Sequence, residues 1–393
     1  MTPKSQALLI LGPHRSGTSA FTRVTNILGV DLGEEMLPPK FDNPQGYWEH
    51  RQVFELHERL LSRVDSAWHD YRPMPDGWQE CEAVRAIRRE LLAVLQREFG
   101  ASPLWGVKDP RLCRLVPLWL DLLGELEIVP DFVVLIRHPL EVVDSLVKRD
   151  GFSRSKALLL YLVDLLTAIH HTEGHRRVFV SYKRLLEDWR EVVADIARQL
   201  PLEWPSDVAA VQGEIDAFLN PSERHHRHSL DDLREGAGVP EWVTVAYEAL
   251  EAASRGEESG LAATLQSAQD HLTSAWSLFL PEFNLLKGEL ALVSSQVAVL
   301  EEERSRLGQR LSDEDERATV REHQLVSSKN EVEGLSAQVA VLEEERIRAD
   351  RRAIHAESEL LTIQKHLTSI LSSPLYRLSR RCRQAWRTMG RFR

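Results

Sequence analysis

The residues best placed to do chemistry in this sequence begin with the loop Gly12-Pro13-His14-Arg15-Ser16-Gly17-Thr18-Ser19. It follows the apolar run Ala7 to Leu11 and leads into a helix-periodic stretch, Ser16 to Leu28, that stops at Gly29. A short continuous apolar run ending at a glycine reads as a buried parallel strand. Strand, glycine loop and helix together open a nucleotide-binding α/β domain. Such a loop turns backbone N–H groups toward one point at a helix N-terminus and binds an anion there. Against the ATPase pattern G-x-x-x-x-G-K-[ST], Gly12, Gly17 and Ser19 fit, but Thr18 stands in place of the lysine that reaches the β- and γ-phosphates. That counts against an ATPase or GTPase. The cation inside the loop is instead Arg15, whose planar fork can hold two oxygens of one anion.

The elements that must position this loop are legible around it. Phe132 to Ile136 and Val178 to Tyr182 are β-rich runs, and Leu104 to Lys108 is a weaker one. Pro139 suits the first turn of a helix after the Phe132 strand. Trp48 to about Val64 and Leu185 to Leu200 have helical spacing, whereas Asp31 to Gly46 is loop-like. Strands alternating with helices imply an α/β fold, a P-loop-like parallel sheet with helices on both faces. Ligands on such sheets sit at the C-terminal strand ends, where the charged motifs fall.

On these residues the chain resembles the PAPS-dependent sulfotransferase family, in its bacterial carbohydrate-modifying form. Leu11 to Ser19 is similar to the family's 5′-phosphosulfate loop. Val133 to Leu146, with Arg137 at a strand end and Ser145 eight residues on, resembles its 3′-phosphate element. Ser145 lies two turns into the following helix, so arginine and serine can converge on one phosphate. Trp105 to Arg111 resembles the family's K-D-P element, Asn43 to Glu49 its N-P-x-G-Y-x-E segment, and Val180 to Asp188 its tyrosine element near the adenosine.

The resemblance spans about residues 7 to 230 and implies PAPS as donor, PAP as product and no metal. Arg15, Ser16, Gly17, Thr18, Ser19, Arg137, Ser145 and Tyr182 would bind the nucleotide; Glu49, Lys108 and Arg15 would serve catalysis. His14 and Arg15 depart from the Lys-Ser of cytosolic members, and no catalytic-histidine segment of theirs is visible. The base is therefore expected to be a carboxylate, Glu49, with Glu34, Glu35, Asp42 and His50 as competitors. Each pick has a plainer reading: Glu49 as a first-turn helix carboxylate, Asp109-Pro110 as turn chemistry, Arg137 as a structural cap, Tyr182 as packing. The cluster Arg224 to His228 fits a nucleotide-side segment, a metal-binding loop or a solvated one.

Composition bounds the rest. The 393 residues carry a formal charge of -11, which argues against general nucleic-acid binding. The arginine-rich tail, Ser373 to Arg393, holds about +7 of charge, leaving about -18 on the remainder. Cys81, Cys113 and Cys382 are scattered and without metal spacing, as in a reducing compartment. The apolar run at the N-terminus is short for a signal peptide, and the run from Ala157 to Ile169 is broken by Asp164. The expectation is a cytoplasmic protein. Leu375, Tyr376, Trp386 and Phe392 among the tail's arginines suit a peripheral contact with anionic lipid, or else a disordered basic tail.

From Leu286 the pattern becomes heptad. With Leu290 as a, positions a and d are mostly apolar over about twelve heptads, weakest from Glu314 to Ser328. Ser294 to Arg304 recurs as Ser336 to Arg346, an offset of six heptads that keeps the seam in phase. An unbroken rod of this length cannot bury its stripe alone, so self-association is expected, with Arg304 and Arg346 at equivalent a positions. The expected organisation is a PAPS-binding domain over 1–235, a helical extension over 236–283, a coiled coil over 284–373 and a basic tail over 374–393. The acceptor is expected to be a glycan or glycolipid hydroxyl. A P-loop kinase or NTPase, and a scaffold with a degenerate nucleotide domain, are the competing functions.

Overall fold

The computed structural model describes residues 5–40, 43–219, 227–316 and 322–372. Asp42, Arg224 to His226, the residues joining the two heptad helices and the whole basic tail lie outside them. The chain divides into two units, Met1–Leu272 and Thr273–Arg393.

Among the described residues the first unit holds four strands, β1 (Gln6–Leu11), β2 (Leu104–Lys108), β3 (Pro130–Ile136) and β4 (Arg177–Ser181). Its helices are α1 (Thr18–Ile27), α2 (Arg51–Arg63), α3 (Glu82–Phe99), α4 (Leu112–Glu125), α5 (Pro139–Asp150) and α6 (Arg154–His171). They continue with α7 (Tyr182–Glu187), α8 (Trp189–Gln199), α9 (Val208–Phe218), α10 (Leu230–Glu235) and α11 (Glu241–Ala253). The strands form one parallel sheet in the order β2-β1-β3-β4.

Both sheet faces are covered, as the continuous apolar runs require. Leu8, Ile10, Val133, Leu135 and Val180 meet Phe21, Val24, Leu185 and Ile196 in one core layer. The alternate positions Leu9, Val107, Phe132 and Val134 are buried as well. The run from Ala157 to Ile169 falls inside α6, where the buried Asp164 is neutralised by Arg114 at 2.7 Å. Because β2 lies on one side of β1 and β3 on the other, the loops leaving β1 and β3 diverge and open a crevice at the strands' C-terminal ends.

Two local departures from sequence periodicity matter. The stretch Leu185 to Leu200 is two helices, because Asp188 is extended (φ −151°) and its side chain caps α8 by accepting from the Glu191 N–H. α2 begins at Arg51, not near Trp48: Trp48 sits at φ 56°, in the left-handed region. Glu49 therefore precedes the helix, which removes its reading as a first-turn helix carboxylate.

The second unit is made of the long helix α12 (Leu261–Glu316), from Thr273 onward, and α13 (Glu322–Ser372). On both, a and d positions such as Val293, Val297, Leu307, Val339, Leu342 and Ala349 are the less exposed ones, while Arg304 and Arg346 are exposed. Whether the rod is unbroken depends on residues 317–321, outside the described ones. Among the described helices, Leu261–Arg310 is long and apolar enough to cross a membrane by length and composition, with a stretch of mean hydropathy 1.2.

Candidate active site

The loop between β1 and α1 is built around two backbone demands. Gly17 has φ 87°, and a Cβ there would lie 2.1 Å from the Tyr182 ring, so only glycine fits. Arg15 also adopts a left-handed conformation, φ 69°, which for a non-glycine residue is held in place by its surroundings. α1 opens with neither a side-chain cap nor an acidic residue in its first turn. Its positive dipole end is left to whatever enters the loop. Ser16 is fully buried, and its Oγ has no hydrogen-bond partner among the described residues. Such an orphaned hydroxyl is costly in an empty loop and useful against an anion.

Two polar clusters flank this loop. In the first, Lys108 at the end of β2 donates from Nζ to Glu49 Oε1 (2.6 Å) and to Ser19 Oγ (3.1 Å). The Ser19 hydroxyl donates to the Tyr47 carbonyl, and Asn43 Nδ2 lies 3.4 Å from Ser19 Oγ. Glu49 and Lys108 are both almost fully buried. Burial pushes the Glu49 carboxyl above its ordinary range, and the neighbouring Lys108 cation opposes that rise. Among the described competitors, Glu34 and Glu35 are exposed, and His50 faces Glu98 at 3.3 Å; Asp42 lies outside the described residues.

A buried scaffold holds Lys108 in place. Asp109 accepts from the Arg111 backbone N–H and Nη1, both at 2.9 Å, and contacts His57 Nδ1 at 2.8 Å. Trp119 Nε1 donates to His57 Nε2 (3.0 Å), which leaves Nδ1–H to donate to Asp109. Burial works against ionising Asp109, but the Arg111 guanidinium and the His57 contact outweigh it and hold the carboxyl well below the usual carboxylate range. Arg111 also reaches Glu58. The Asp-Pro turn after β2 is thus clamped from α2 and α4.

In the second cluster, Arg15 Nε donates to Ser145 Oγ at 2.8 Å. Arg137 Nη1 donates to the Arg15 carbonyl (2.9 Å), and its Nε donates to buried Glu141 at 2.9 Å. The Arg137 guanidinium lies 4.8 Å over the Tyr182 ring, the same ring that presses on Gly17. The side chain of Arg15 therefore joins Arg137 and Ser145, while its backbone shapes the loop. His228, from the sequence's basic cluster, pairs with Asp144 at 2.6 Å on α5.

Beside the loop lies a narrow hollow lined by Pro13, His14, Trp68, Leu146, Leu160, Tyr161 and Asp164. His14 meets the Trp68 ring at 4.6 Å, and Phe152 meets it at 5.8 Å. Burial, and after it the charges of Arg111 and Arg149, lower the His14 pKa well below 6.5, so the imidazole is neutral at pH 7.

The sequence-derived residues thus sort into one cluster of Glu49, Lys108 and Ser19, another of Arg15, Arg137, Ser145 and Tyr182, with Ser16, Gly17 and Thr18 between them. Sequence reasoning missed His57, Glu141, Trp119 and Glu58. His57 stands on the apolar stripe of α2 and Glu141 four residues after Arg137, so both left a signal. Trp119 lies 62 residues from its histidine and left none.

No protein-family model matches the chain, and no curated protein matches it. Among solved structures, the chain is similar to a sulfotransferase domain from the curacin biosynthetic pathway, with TM-score 0.31 and 18% identity over 51% of this chain and 75% of that one. It is also similar to a sulfotransferase domain from the Synechococcus PCC 7002 olefin synthase, with TM-score 0.34 and 20% identity over 58% of this chain and 85% of that one.

Proposed function

We propose that the first unit is a PAPS-dependent sulfotransferase acting on a hydroxyl acceptor, a sugar of a surface polysaccharide or glycolipid. One observation carries the reading: two separate polar clusters flank a single glycine loop, one supplying two arginines and a serine, the other a buried lysine–carboxylate pair. A donor with phosphates at both ends of its nucleotide needs two cationic sites. A simple triphosphate needs one.

The residues present fit such a donor. The unpaired Ser16 hydroxyl and the uncapped start of α1 would hold the 5′-phosphosulfate. Arg137 and Ser145, with the Arg15 side chain, would hold the 3′-phosphate, and Tyr182 would lie beside the nucleoside. When bound, PAPS supplies an electrophilic sulfuryl group on a phosphate leaving oxygen. Glu49, made more basic by burial, takes the proton of the acceptor hydroxyl, a contribution of about 10²- to 10⁴-fold. Lys108 Nζ and the loop N–H groups offset charge on the leaving oxygen by fixed electrostatics. Ser19, at the position where a P-loop hydroxyl meets magnesium, is engaged with Lys108 and Tyr47, which weighs against the kinase alternative.

Calorimetry tests this. PAP should bind with a micromolar Kd without magnesium, and ATP more weakly. Arg137→Ala should weaken PAP by roughly 2 kcal/mol, the loss of a charge-assisted phosphate contact. Magnesium-dependent ATP binding with no PAP binding would overturn the proposal.

A further inference from the structure

Among the described residues, Arg15, Trp48, Asp65 and Glu127 are the non-glycine residues with a left-handed backbone. Asp65 and Glu127 occupy ordinary places for it, just past the ends of α2 and α4. The residue after each donates back into the helix, Ser66 to the Leu61 carbonyl and Ile128 to that of Leu123. Arg15 shapes the glycine loop. Trp48 follows no helix, and φ 56° is an outlier for so bulky a side chain. Such a conformation persists only where its surroundings hold it.

Trp48 joins two members of the polar cluster beside the loop. The Tyr47 carbonyl accepts from the Ser19 hydroxyl at 3.1 Å, and Ser19 Oγ accepts from Lys108 Nζ at 3.1 Å. Lys108 Nζ also donates to Glu49 Oε1 at 2.6 Å. Tyr47 and Glu49 are the chain neighbours of Trp48, so its backbone closes these contacts into a ring. Beyond it, the Leu37 N–H donates to the Glu49 carbonyl (2.8 Å) and the Arg51 N–H to the Glu35 carbonyl (2.7 Å). The Trp48 side chain is held as well. Its Nε1 donates to the Gln45 carbonyl at 3.1 Å, and the Arg23 guanidinium from α1 lies 4.6 Å over the ring. Arg23 is itself fixed by Asn26 and Glu214, both at 2.6 Å.

We infer that Trp48 is a positioning residue: its left-handed turn aims the Glu49 carboxylate and the Tyr47 carbonyl at Lys108 and Ser19, and its ring, held by Arg23, keeps the turn. The role rests on the reading of Glu49 and Lys108 as the groups that take the acceptor proton and offset the leaving charge. The pair is thereby aimed before substrate arrives, as fixed electrostatics requires. Because Arg23 stands on α1, the helix that leaves the anion loop, the base is aimed relative to the donor.

Trace acetylation of the full chain with acetic anhydride tests this, read by mass spectrometry as Lys108 labelling relative to exposed Lys183. Lys108 of the wild type should label slowly. Glycine and asparagine accept a left-handed backbone and leucine does not, so Trp48→Gly and Trp48→Asn should keep Lys108 slow. Trp48→Leu should raise its labelling at least about 10-fold, the loss of a hydrogen bond between charged groups. It should also cut turnover while PAP affinity, measured by calorimetry, is unchanged. Arg23→Gln should raise Lys108 labelling beside Trp48 but not beside Trp48→Gly, which needs no clamp; this pair decides the matter if Trp48→Leu does not fold. A role in packing alone predicts the reverse order, with leucine the best replacement, and that order would overturn the inference. So would slow labelling in every variant, or an Arg23→Gln effect equal in both backgrounds. A wild type that binds no PAP would remove the sulfotransferase reading instead, while the labelling order still decides how the pair is aimed.

Discussion

At the scale of single residues, the Glu49–Lys108 pair is the most informative feature. Two ionisable groups are buried within 2.6 Å of one another beside the glycine loop. Burial raises the Glu49 pKa and Lys108 restrains the rise. The sign for activity follows: the base must be ionised, so kcat/KM should climb with pH through an apparent pKa above the ordinary 4.5. The sign for stability is opposite, because the folded chain holds this proton more tightly than the unfolded one. Stability therefore falls as pH rises from 4.5 through the raised value. Lys108→Met removes the cation that favours the carboxylate and should move the acid limb of the pH profile to higher pH. Glu49→Gln should leave PAP affinity unchanged and cut turnover at least about 100-fold. A pH–rate series on the three proteins with a common acceptor checks both. Near-normal turnover by Glu49→Gln would place the base elsewhere, with Glu35 next to be tested.

At the scale of elements, the loop from Gly12 to Ser19 depends on a helix distant in sequence. The ring of Tyr182, at the start of α7, packs against Gly17 and also lies under Arg137. One aromatic side chain thereby couples the shape of the anion loop to the aim of the second cationic site. Gly17→Ala adds both a left-handed strain of about 1 to 3 kcal/mol and a collision with that ring. It should lower the melting temperature and weaken PAP together. Pairing it with Tyr182→Ala relieves the collision but not the backbone strain, so stability should recover only in part. Full recovery would mean that the φ of 87° is dispensable. Calorimetric melting and PAP titration of the two variants beside the wild type distinguish the two components.

At the scale of the whole molecule, the division after Leu272 predicts separable behaviour. Residues 1–272 contain the sheet, both polar clusters and the core, so that fragment should melt cooperatively and bind PAP as tightly as the full chain. Loss of PAP binding in a folded fragment would show that the helical unit completes the site. Much of this organisation was legible in the sequence by itself. The apolar runs at 7–11, 132–136 and 178–182 mark the strands because a parallel sheet buried on both faces tolerates no polar alternation. The loop, Arg137, Ser145, Lys108 and the heptads are likewise local patterns of type and spacing. Only the tertiary structure decided which of these residues meet. It joined the Arg15 side chain to Ser145 across 130 residues, selected Glu49 over Glu34 and Glu35 as the partner of Lys108, and placed Trp119 behind His57. It also left a and d residues such as Val297 and Val339 covered while apolar residues such as Leu292 and Val341 stay exposed. Periodicity reports that a helix has apolar faces; which face is already covered depends on packing between segments far apart in the chain, and no local pattern encodes that.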